Sequence, residues 1–160
     1  MTSVDLTAMD GIGGHLALSI IAEIGIDMHP WKSDKHFASW LCLAPGNHTS
    51  GGKHHHSKSR TRPSSNRAAQ DFRLAAFAVS RSDTALGAFY RRLRARLGAP
   101  KAMTATAHKI AKIVYTMLKY GQAYVDRGVQ YSEEQYRHRV VKNLHRRAEQ
   151  LGFTLQPKVA

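Results

Sequence analysis

The sequence predicts an all-α fold, and the spacing of its apolar residues is the main reason. Apolar residues recur every three or four positions in several segments, which is the period of a helix with one buried face. Glycine or proline separates these segments, and outside one long loop none alternates polar and apolar residues as a half-buried strand does. We therefore expect a helical domain with a helix-hairpin-helix-like element at its N-terminus and a long, basic, glycine-rich loop.

Two helices are predicted before the long loop. One runs over His15–Ile24 and stops at Gly25, because glycine commonly ends helices. The other begins at a Ser33-Asp34 cap, whose side chains accept hydrogen bonds from free N–H groups of the first turn, and ends near Leu43. The residues expected to pack inward on the first helix are Ala17, Ile20 and Ile21.

Three more helices follow the loop, each bounded by residues that favour helix ends. They are a helix from a Ser64 or Ser65 cap to about Ser80, one from an Asp83 or Thr84 cap to Leu97 before Gly98, and one over Lys101–Tyr120 between Pro100 and Gly121. Their expected buried faces are Phe72, Ala75, Ala76 and Val79; then Phe89, Leu93 and Leu97; then Ile110, Ile113, Val114, Met117 and Leu118.

A last helix is predicted near the C-terminus. Ser132 and Gln135 form a capping box, and the helix is expected to run to Leu151 before Gly152. We accordingly divide the chain into a helical domain, 1–130, and a basic helical extension, 131–160.

Composition excludes several classes of protein. Hydrophobic residues make up 42% of the chain, a normal globular share, and no apolar run approaches the roughly 20 residues of a membrane helix. The first residues lack the pattern of a secretory signal, so we expect a cytoplasmic protein with no membrane partner. The single cysteine, Cys42, has no partner for a disulfide or a cysteine-based zinc site, and we predict that it is buried. No metal site is expected in this chain.

The uneven distribution of charge predicts a polyanionic partner. The net charge is +13, yet residues 1–52 contain two Lys or Arg against five Asp or Glu, whereas residues 53–109 contain thirteen against two. Neutralising phosphates releases condensed counterions and so favours binding of nucleic acid to a basic surface. An anionic membrane is less favoured, because the basic stretches have few bulky apolar anchors.

The glycine-rich turn around Gly11 and Gly13 has two interpretations. Glycines let backbone N–H groups approach a phosphate, and the N-terminus of the following helix adds the positive end of its dipole. The turn would then be a sequence-independent phosphate grip of the helix-hairpin-helix type. The other interpretation is an ordinary tight turn between two helices, and the spacing alone does not separate the two.

The long loop, Ala44–Pro63, combines a serine, two glycines and several cations. Ser50 stands beside Gly51 and Gly52, so a bulky phosphodiester has room to reach its hydroxyl. A serine needs a base, a metal or strong electrostatic assistance to act as a nucleophile, and the sequence identifies no base. A glycine-rich loop that only binds phosphate is the alternative. The cations expected to hold phosphate oxygens are Lys53, Lys58, Arg60 and Arg62.

Further arginines are candidates for backbone contacts with nucleic acid. Arg91 and Arg92 lie on a helix whose packed side is expected to exclude them, and Arg67 opens the helix after the loop. Such contacts position nucleic acid without selecting a base sequence. A purely solvated basic face is the alternative.

Several ordered blocks of sequence resemble one family over nearly the whole chain, from about Met9 to Pro157. The chain resembles the C-terminal domain of the bridge-RNA-guided insertion-sequence transposases, which are relatives of the Piv-type DNA invertases. The blocks are Gly11-Ile12-Gly13, Ala22-Glu23-Ile24-Gly25, Phe37–Gly46, Ser50-Gly51-Gly52-Lys53, Asn66-Arg67, Leu74-Ala75-Ala76, Phe89-Tyr90-Arg91-Arg92, Ala105–Tyr124 and Tyr136–Gly152.

The resemblance implies a role for Ser50 that spacing alone does not. In the family, the serine of the Ser-Gly-Gly stretch is the nucleophile that joins covalently to DNA. Family members also carry an N-terminal RuvC-like domain whose four acidic residues bind Mg²⁺, and they assemble as oligomers on DNA with a guide RNA. The resemblance therefore implies DNA, a guide RNA, and either further copies of the chain or a RuvC-like domain as partners.

The acidic pattern of the RuvC-like domain does not occur in this sequence. We expect the chain alone to bind nucleic acid without recombining it, as a split-off domain or a fragment of a larger transposase would. A non-catalytic helix-hairpin-helix DNA-binding module is the second hypothesis, and a nonfunctional remnant that folds poorly is the third.

Overall fold

A computed structural model describes residues 4–46, 49–50, 53–54 and 61–156, with only the backbone described at 49–50 and 53–54. Within these ranges the fold is all-α, as predicted, apart from one pairing of two very short strands. A 3-10 helix precedes the first α-helix. The elements are the 3-10 helix Leu6–Ala8, α1 Gly14–Ile24, α2 Asp34–Trp40, β1 Thr49–Ser50, β2 Lys53–His54, α3 Arg67–Val79, α4 Ala85–Leu97, α5 Ala99–Tyr120 and α6 Gly128–Gln150.

Helix α5 is the centre of the fold, because it contacts α2, α3 and α4. It begins at Ala99, with Pro100 in its first turn, and ends at Gly121, which has the left-handed backbone that glycine adopts without strain. Its buried positions repeat every three or four residues along most of its length, so the predicted stripe is confirmed. The buried residues are Ala102, Thr106, Ala107, Ile110, Ala111, Val114, Tyr115, Met117 and Leu118, and Ile113 is partly buried.

The one buried polar residue of the described core is satisfied within its own helix. The hydroxyl of Thr106 donates to the carbonyl oxygen of Ala102 at 2.9 Å. This bond removes most of the penalty of burying a hydroxyl. Small residues on either side, Ala102 and Ala107, allow the neighbouring helices to approach closely.

The other predicted buried faces are confirmed in α3 and only partly in α1 and α4. All four expected residues of α3 are buried, whereas on α1 Ile20 is buried and Ala17 and Ile21 are partly buried. On α4 the prediction is wrong for Leu97, which is 40% exposed. The buried residues of α4 are Leu86, Gly87, Ala88 and Tyr90, toward its N-terminal end.

Two predicted starts of helices need correction. Asn66, not Ser64 or Ser65, caps α3, since its side-chain oxygen accepts from Ala69 N at 3.3 Å. Helix α6 starts at Gly128, so Ser132 lies inside the helix and caps nothing. Upstream of α1, the position of the first helix in a helix-hairpin-helix is occupied by a single 3-10 turn, Leu6–Ala8.

Asp126 explains why α6 starts where it does. Its carboxylate accepts from Gly128 N at 2.9 Å and from Ala85 N at 3.2 Å, so it joins the start of α6 to the start of α4. Helix α6 contacts α4 but has no buried residue. The proposed division between 130 and 131 falls inside α6 and stays a prediction. Among the described helices, none is both long and apolar enough to span a membrane.

Cys42 is half-buried rather than buried, and its backbone has a φ of 55°. Non-glycine residues adopt this left-handed conformation rarely. This left-handed residue closes the turn that follows α2. Cys42 N donates to the carbonyl oxygen of Ser39 at 3.0 Å, and Leu43 N donates to the carbonyl oxygen of Ala38 at 3.0 Å. The residues on both sides, Leu41 and Leu43, are buried, so this tight turn fixes the start of the long loop to the core.

The turn around Gly11 packs directly onto α3. Gly11 has a φ of +87°, and a Cβ built there would lie 2.7 Å from the carbonyl oxygen of Ala75 and 2.6 Å from Val79 Cγ1. Gly11 is therefore required by the packing of the turn, whatever the turn binds.

Gly11→Ala is expected to lower the free energy of unfolding by about 2 kcal/mol or more, because it combines a strained backbone with a clash against a helix carbonyl. Gly14→Ala is the control, since nothing lies within 4 Å of its Cβ position and its φ is unstrained. Alanine there should leave stability unchanged or raise it by about 0.5 kcal/mol. Urea denaturation of both variants tests this, and equal stabilities would contradict the packing.

Candidate nucleic-acid interface

The long loop carrying Ser50 starts from an aromatic cluster. The ring of Trp40, the last residue of α2, lies tilted against that of Trp31 with centroids 5.0 Å apart, and Trp31 meets the buried Phe37 edge-on at 5.0 Å. Phe37 in turn lies 5.7 Å from the ring of Tyr115 on α5. Such aromatic pairs stabilise beyond simple area burial. Trp40 itself is 44% exposed, so one side of the cluster faces solvent beside the loop.

Polar contacts fasten the segment around α2 to α5. The hydroxyl of Tyr115 donates to the carbonyl oxygen of Trp31 at 2.8 Å, and Lys119 Nζ donates to the Tyr115 hydroxyl at 2.7 Å. On α2, Asp34 Oδ2 lies 2.9 Å from Lys112 Nζ. This ammonium holds the pKa of the Asp34 carboxyl below its usual value of 3.8 by hydrogen bonding and by charge.

The far end of the loop is held by α3. Asn66 caps the helix, and its own N–H donates to Ser64 Oγ at 3.1 Å. The next residues, Ala68 and Ala69, are buried in the core. Both ends of the loop therefore reach the core through helices that contact α5.

Inside the loop the backbone forms a short antiparallel hairpin. Thr49 pairs with His54, and Ser50 pairs with Lys53. Ser50 and Lys53 are thus directly opposite each other across the two strands, and only Gly51 and Gly52 connect them. Two-residue connections with glycine are the usual form of tight hairpins. The structure therefore brings the candidate nucleophile and one candidate cation together as a backbone pair.

The remaining loop candidates are placed as follows. Gly51, Gly52, Lys58 and Arg60 lie outside the described residues. Arg62 is exposed. Arg67 is also exposed, and its Nε lies 3.4 Å from a carboxylate oxygen of Glu23 on α1. An exposed ion pair of this kind is weak and leaves an arginine available to a phosphate.

The match to a known family covers this region. The model of the Transposase IS116/IS110/IS902 family matches residues 5–91. The chain belongs to this family. No curated protein and no solved structure is detectably similar to the chain.

Membership of a transposase family confirms the predicted relation to insertion sequences and implies DNA as the substrate. The matched residues include both anchors of the loop and the Ser50 hairpin, and they end within α4. Helices α5 and α6 lie outside the match. The serine chemistry, the guide RNA and the relation to Piv-type invertases stay predictions.

The two candidate arginines of α4 differ in their surroundings. Arg91 donates to the carbonyl oxygen of Ser82 at 2.8 Å and has Asp83 at 3.5 Å. The expectation that Arg92 points to solvent is wrong. Its side chain is only 19% exposed, and its Nη1 lies 2.6 Å from Glu133 Oε1 on α6. A role for Arg92 in binding nucleic acid therefore depends on the surroundings that α6 creates.

The two candidate glycines also differ. Gly11 is packed against α3, whereas Gly13 is exposed and has nothing within 4 Å of its Cβ position. Gly13 precedes α1 without any side-chain cap. The free N–H groups of the first turn of α1 are thus open to an anion.

Sequence patterns missed the residues that gather where α4 packs against both α5 and α6. Lys109 on α5 is half-buried, and burial lowers its pKa, with the positive charges of Arg92 and Arg139 lowering it further. No spacing along the chain relates these three residues, because they come together only through helix packing. Among the described residues, no cluster of three or more potential metal ligands occurs.

Acid is expected to remove the contribution of the Asp34–Lys112 pair. Because the pKa of folded Asp34 is lowered, its stabilisation is full above the unfolded value near 3.8 and is lost as the pH falls through the folded value. Asp34→Asn should cost about 0.5 kcal/mol at pH 7, a modest figure because both side chains are partly exposed. Urea titrations at several pH values should show the difference from wild type shrinking below about pH 4.

Asp83→Asn is the matched control, because Asp83 is 98% exposed and its Arg91 contact is longer, at 3.5 Å. It should change stability little at any of these pH values. A loss in Asp34→Asn that persists unchanged into acid would contradict the ion-pair account.

Proposed function

We propose that this domain binds DNA through the loop between α2 and α3, and that Ser50 is the nucleophile of DNA strand transfer. The observation that supports this most is the hairpin pairing of Ser50 with Lys53, inside the family match and between two anchored loop ends. A cation opposite the serine is suited to a phosphodiester, because it stabilises the negative charge that develops on the phosphate oxygens during transfer.

The proposed step is a transesterification. Ser50 Oγ forms a bond to phosphorus as the bond from phosphorus to a deoxyribose oxygen breaks. The serine gives up its proton and the leaving oxygen gains one, so no water or oxidant is consumed. The energy of the phosphodiester is kept in the protein–DNA linkage, which allows a second DNA hydroxyl to reverse the reaction and join a new strand.

Mg²⁺ would belong to a RuvC-like domain acting with this one. The resemblance assigns the metal to four acidic residues of that domain, and Mg²⁺ would neutralise the scissile phosphate there. This domain would contribute the serine, the loop cations and the DNA grip. A guide RNA and further copies of the chain are proposed partners on the same ground.

Ser50→Ala is expected to abolish a covalent protein–DNA adduct while leaving DNA binding within about twofold. The chain is joined to the RuvC-like domain of a family member and incubated with Mg²⁺ and that member's guide RNA and DNA. Adducts are detected on a denaturing gel, and mass spectrometry of the digested adduct locates the linked residue.

Thr49→Ala is the control, since it removes a hydroxyl from the neighbouring residue. It should retain the adduct. An adduct that persists in Ser50→Ala, or one linked to another residue, would contradict the proposed nucleophile.

A non-catalytic DNA-binding module is the second candidate, and the uncapped N-terminus of α1 supports it. Gly13→Asp should weaken binding to an arbitrary DNA duplex about tenfold, because aspartate caps helices well but repels a phosphate. Gly13→Ser keeps the cap without the charge and should bind nearly as wild type does. Fluorescence anisotropy measures both, and equal affinities would exclude a phosphate at this helix end.

A further inference from the structure

Three cations from three helices lie together at the junction of α4, α5 and α6. Arg92 of α4 and Lys109 of α5 both lie over the ring of Phe89, at 6.0 and 4.3 Å from its centroid. Arg139 of α6 is near enough for its charge to lower the pKa of Lys109, and we call the three residues the three-helix cation cluster. One carboxylate pairs with the cluster, since Glu133 Oε1 lies 2.6 Å from Arg92 Nη1. The cluster with Glu133 therefore keeps a net charge of about +2.

Aromatic rings hold two of these cations in place. Lys109 Nζ lies 4.3 Å from the ring centroid of Phe89 on α4, and Arg92 Cζ lies 4.3 Å from that of Tyr136 on α6. Cation–π contacts of this length are attractive and orient the side chains. They do not neutralise charge, so the rings position the cations without supplying an anion.

Lys109 makes no ion pair among the described residues. All eleven Asp and Glu residues of the chain lie in the described ranges, and none of their carboxylates forms an ion pair with Lys109. A half-buried ammonium without a carboxylate loses hydration and gains little in return. The pKa of Lys109 is lowered for the same reason, because burial and the positive charges of Arg92 and Arg139 both disfavour its charged form.

The cluster opens onto a row of exposed cations along α6. Arg139, Lys142 and Arg146 are spaced three and four residues apart and therefore share one helix face. All three are exposed, and the row extends for about 10 Å along the helix axis. A single small anion would occupy only one end of this row, whereas a chain of phosphates would follow it.

We propose that the three-helix cation cluster binds a backbone phosphate of DNA, with the DNA strand continuing along the Arg139–Arg146 face of α6. The proposal rests on the proposed function only in taking DNA as the ligand. All three residues of the cluster lie outside the family match, so this site is separate from the Ser50 loop in sequence. The site would contribute binding affinity and not sequence specificity, since phosphate contacts position DNA without selecting a base sequence.

Lys109→Met tests the site in the full chain, with binding to a 25-bp DNA duplex measured by anisotropy at several salt concentrations (a length of about two helical turns). We expect Kd to rise about fivefold to tenfold and the slope of log K against log salt to become shallower by about 0.9, as one lost phosphate contact predicts. Lys101→Met is the control, because Lys101 is an exposed lysine about 12 Å from Lys109 along the axis of α5 and the net charge changes equally. It should shift Kd less than twofold.

Equal affinities and equal salt slopes for the two variants would overturn the proposal. If Lys109→Met does not fold, as judged by circular dichroism, Arg139→Gln is compared with Arg137→Gln instead. Each variant removes one positive charge, and Arg137 lies on the opposite side of α6 from Arg139. Loss of DNA affinity in Arg139→Gln alone supports the site, and equal effects overturn it.

Titration with inorganic phosphate separates the two sources of the anion. Lys109-dependent binding of free phosphate, with DNA binding unchanged in Lys109→Met, would overturn the assignment to DNA. Failure of the Ser50 chemistry would not affect this result, because Ser50→Ala retains the cluster. Conversely, loss of the cluster's role would leave adduct formation at Ser50 as a separate measurement.

Discussion

The packing of α5 against α2, α3 and α4 is the constraint on which the rest of the structure depends. Its buried stripe is made of small and aliphatic residues around Tyr115, and each aliphatic side chain buried there contributes about 1.5–3 kcal/mol. Helices α2 and α3 carry the two ends of the Ser50 loop, so their docking on α5 sets the distance that the loop spans. Helix α5 lies outside the family match, yet it fixes the positions of α2 and α3, which lie inside the match.

In the two proposals, DNA meets two separate parts of the fold. The loop offers a hydroxyl and cations near glycines, where a phosphodiester could approach closely, and its chemistry would need a metal-bearing partner domain. The α4–α6 region offers cations set among aromatic rings, a surface suited to holding DNA and not to reacting with it. The cations of both regions lie in residues 53–160, which are strongly positive, whereas residues 1–52 are net negative. A domain that grips DNA on one surface can present the reacting phosphate to another.

Local sequence signals predicted most of the helices. The features that these signals did not predict depend mostly on contacts between residues far apart in the sequence. The Ser33 and Thr84 caps and the Gly98 and Gly121 stops follow from side-chain size and hydrogen bonding, which the sequence displays directly. The start of α6 depends on Asp126 reaching the first turn of α4, a contact between residues 41 positions apart. The cation cluster also depends on contacts between distant residues, whereas the Ser50–Lys53 pairing is local. Helix packing also explains the α4 error, because burial there follows which helices lie alongside rather than periodicity alone.

Amide chemical-shift mapping of the full chain with a DNA duplex tests the central claim most directly. We expect the largest perturbations in the loop between α2 and α3 and a second group at the junction of α4, α5 and α6, with the buried stripe of α5 unchanged. Perturbations confined to other surfaces, with the loop amides unaffected by DNA, would contradict it.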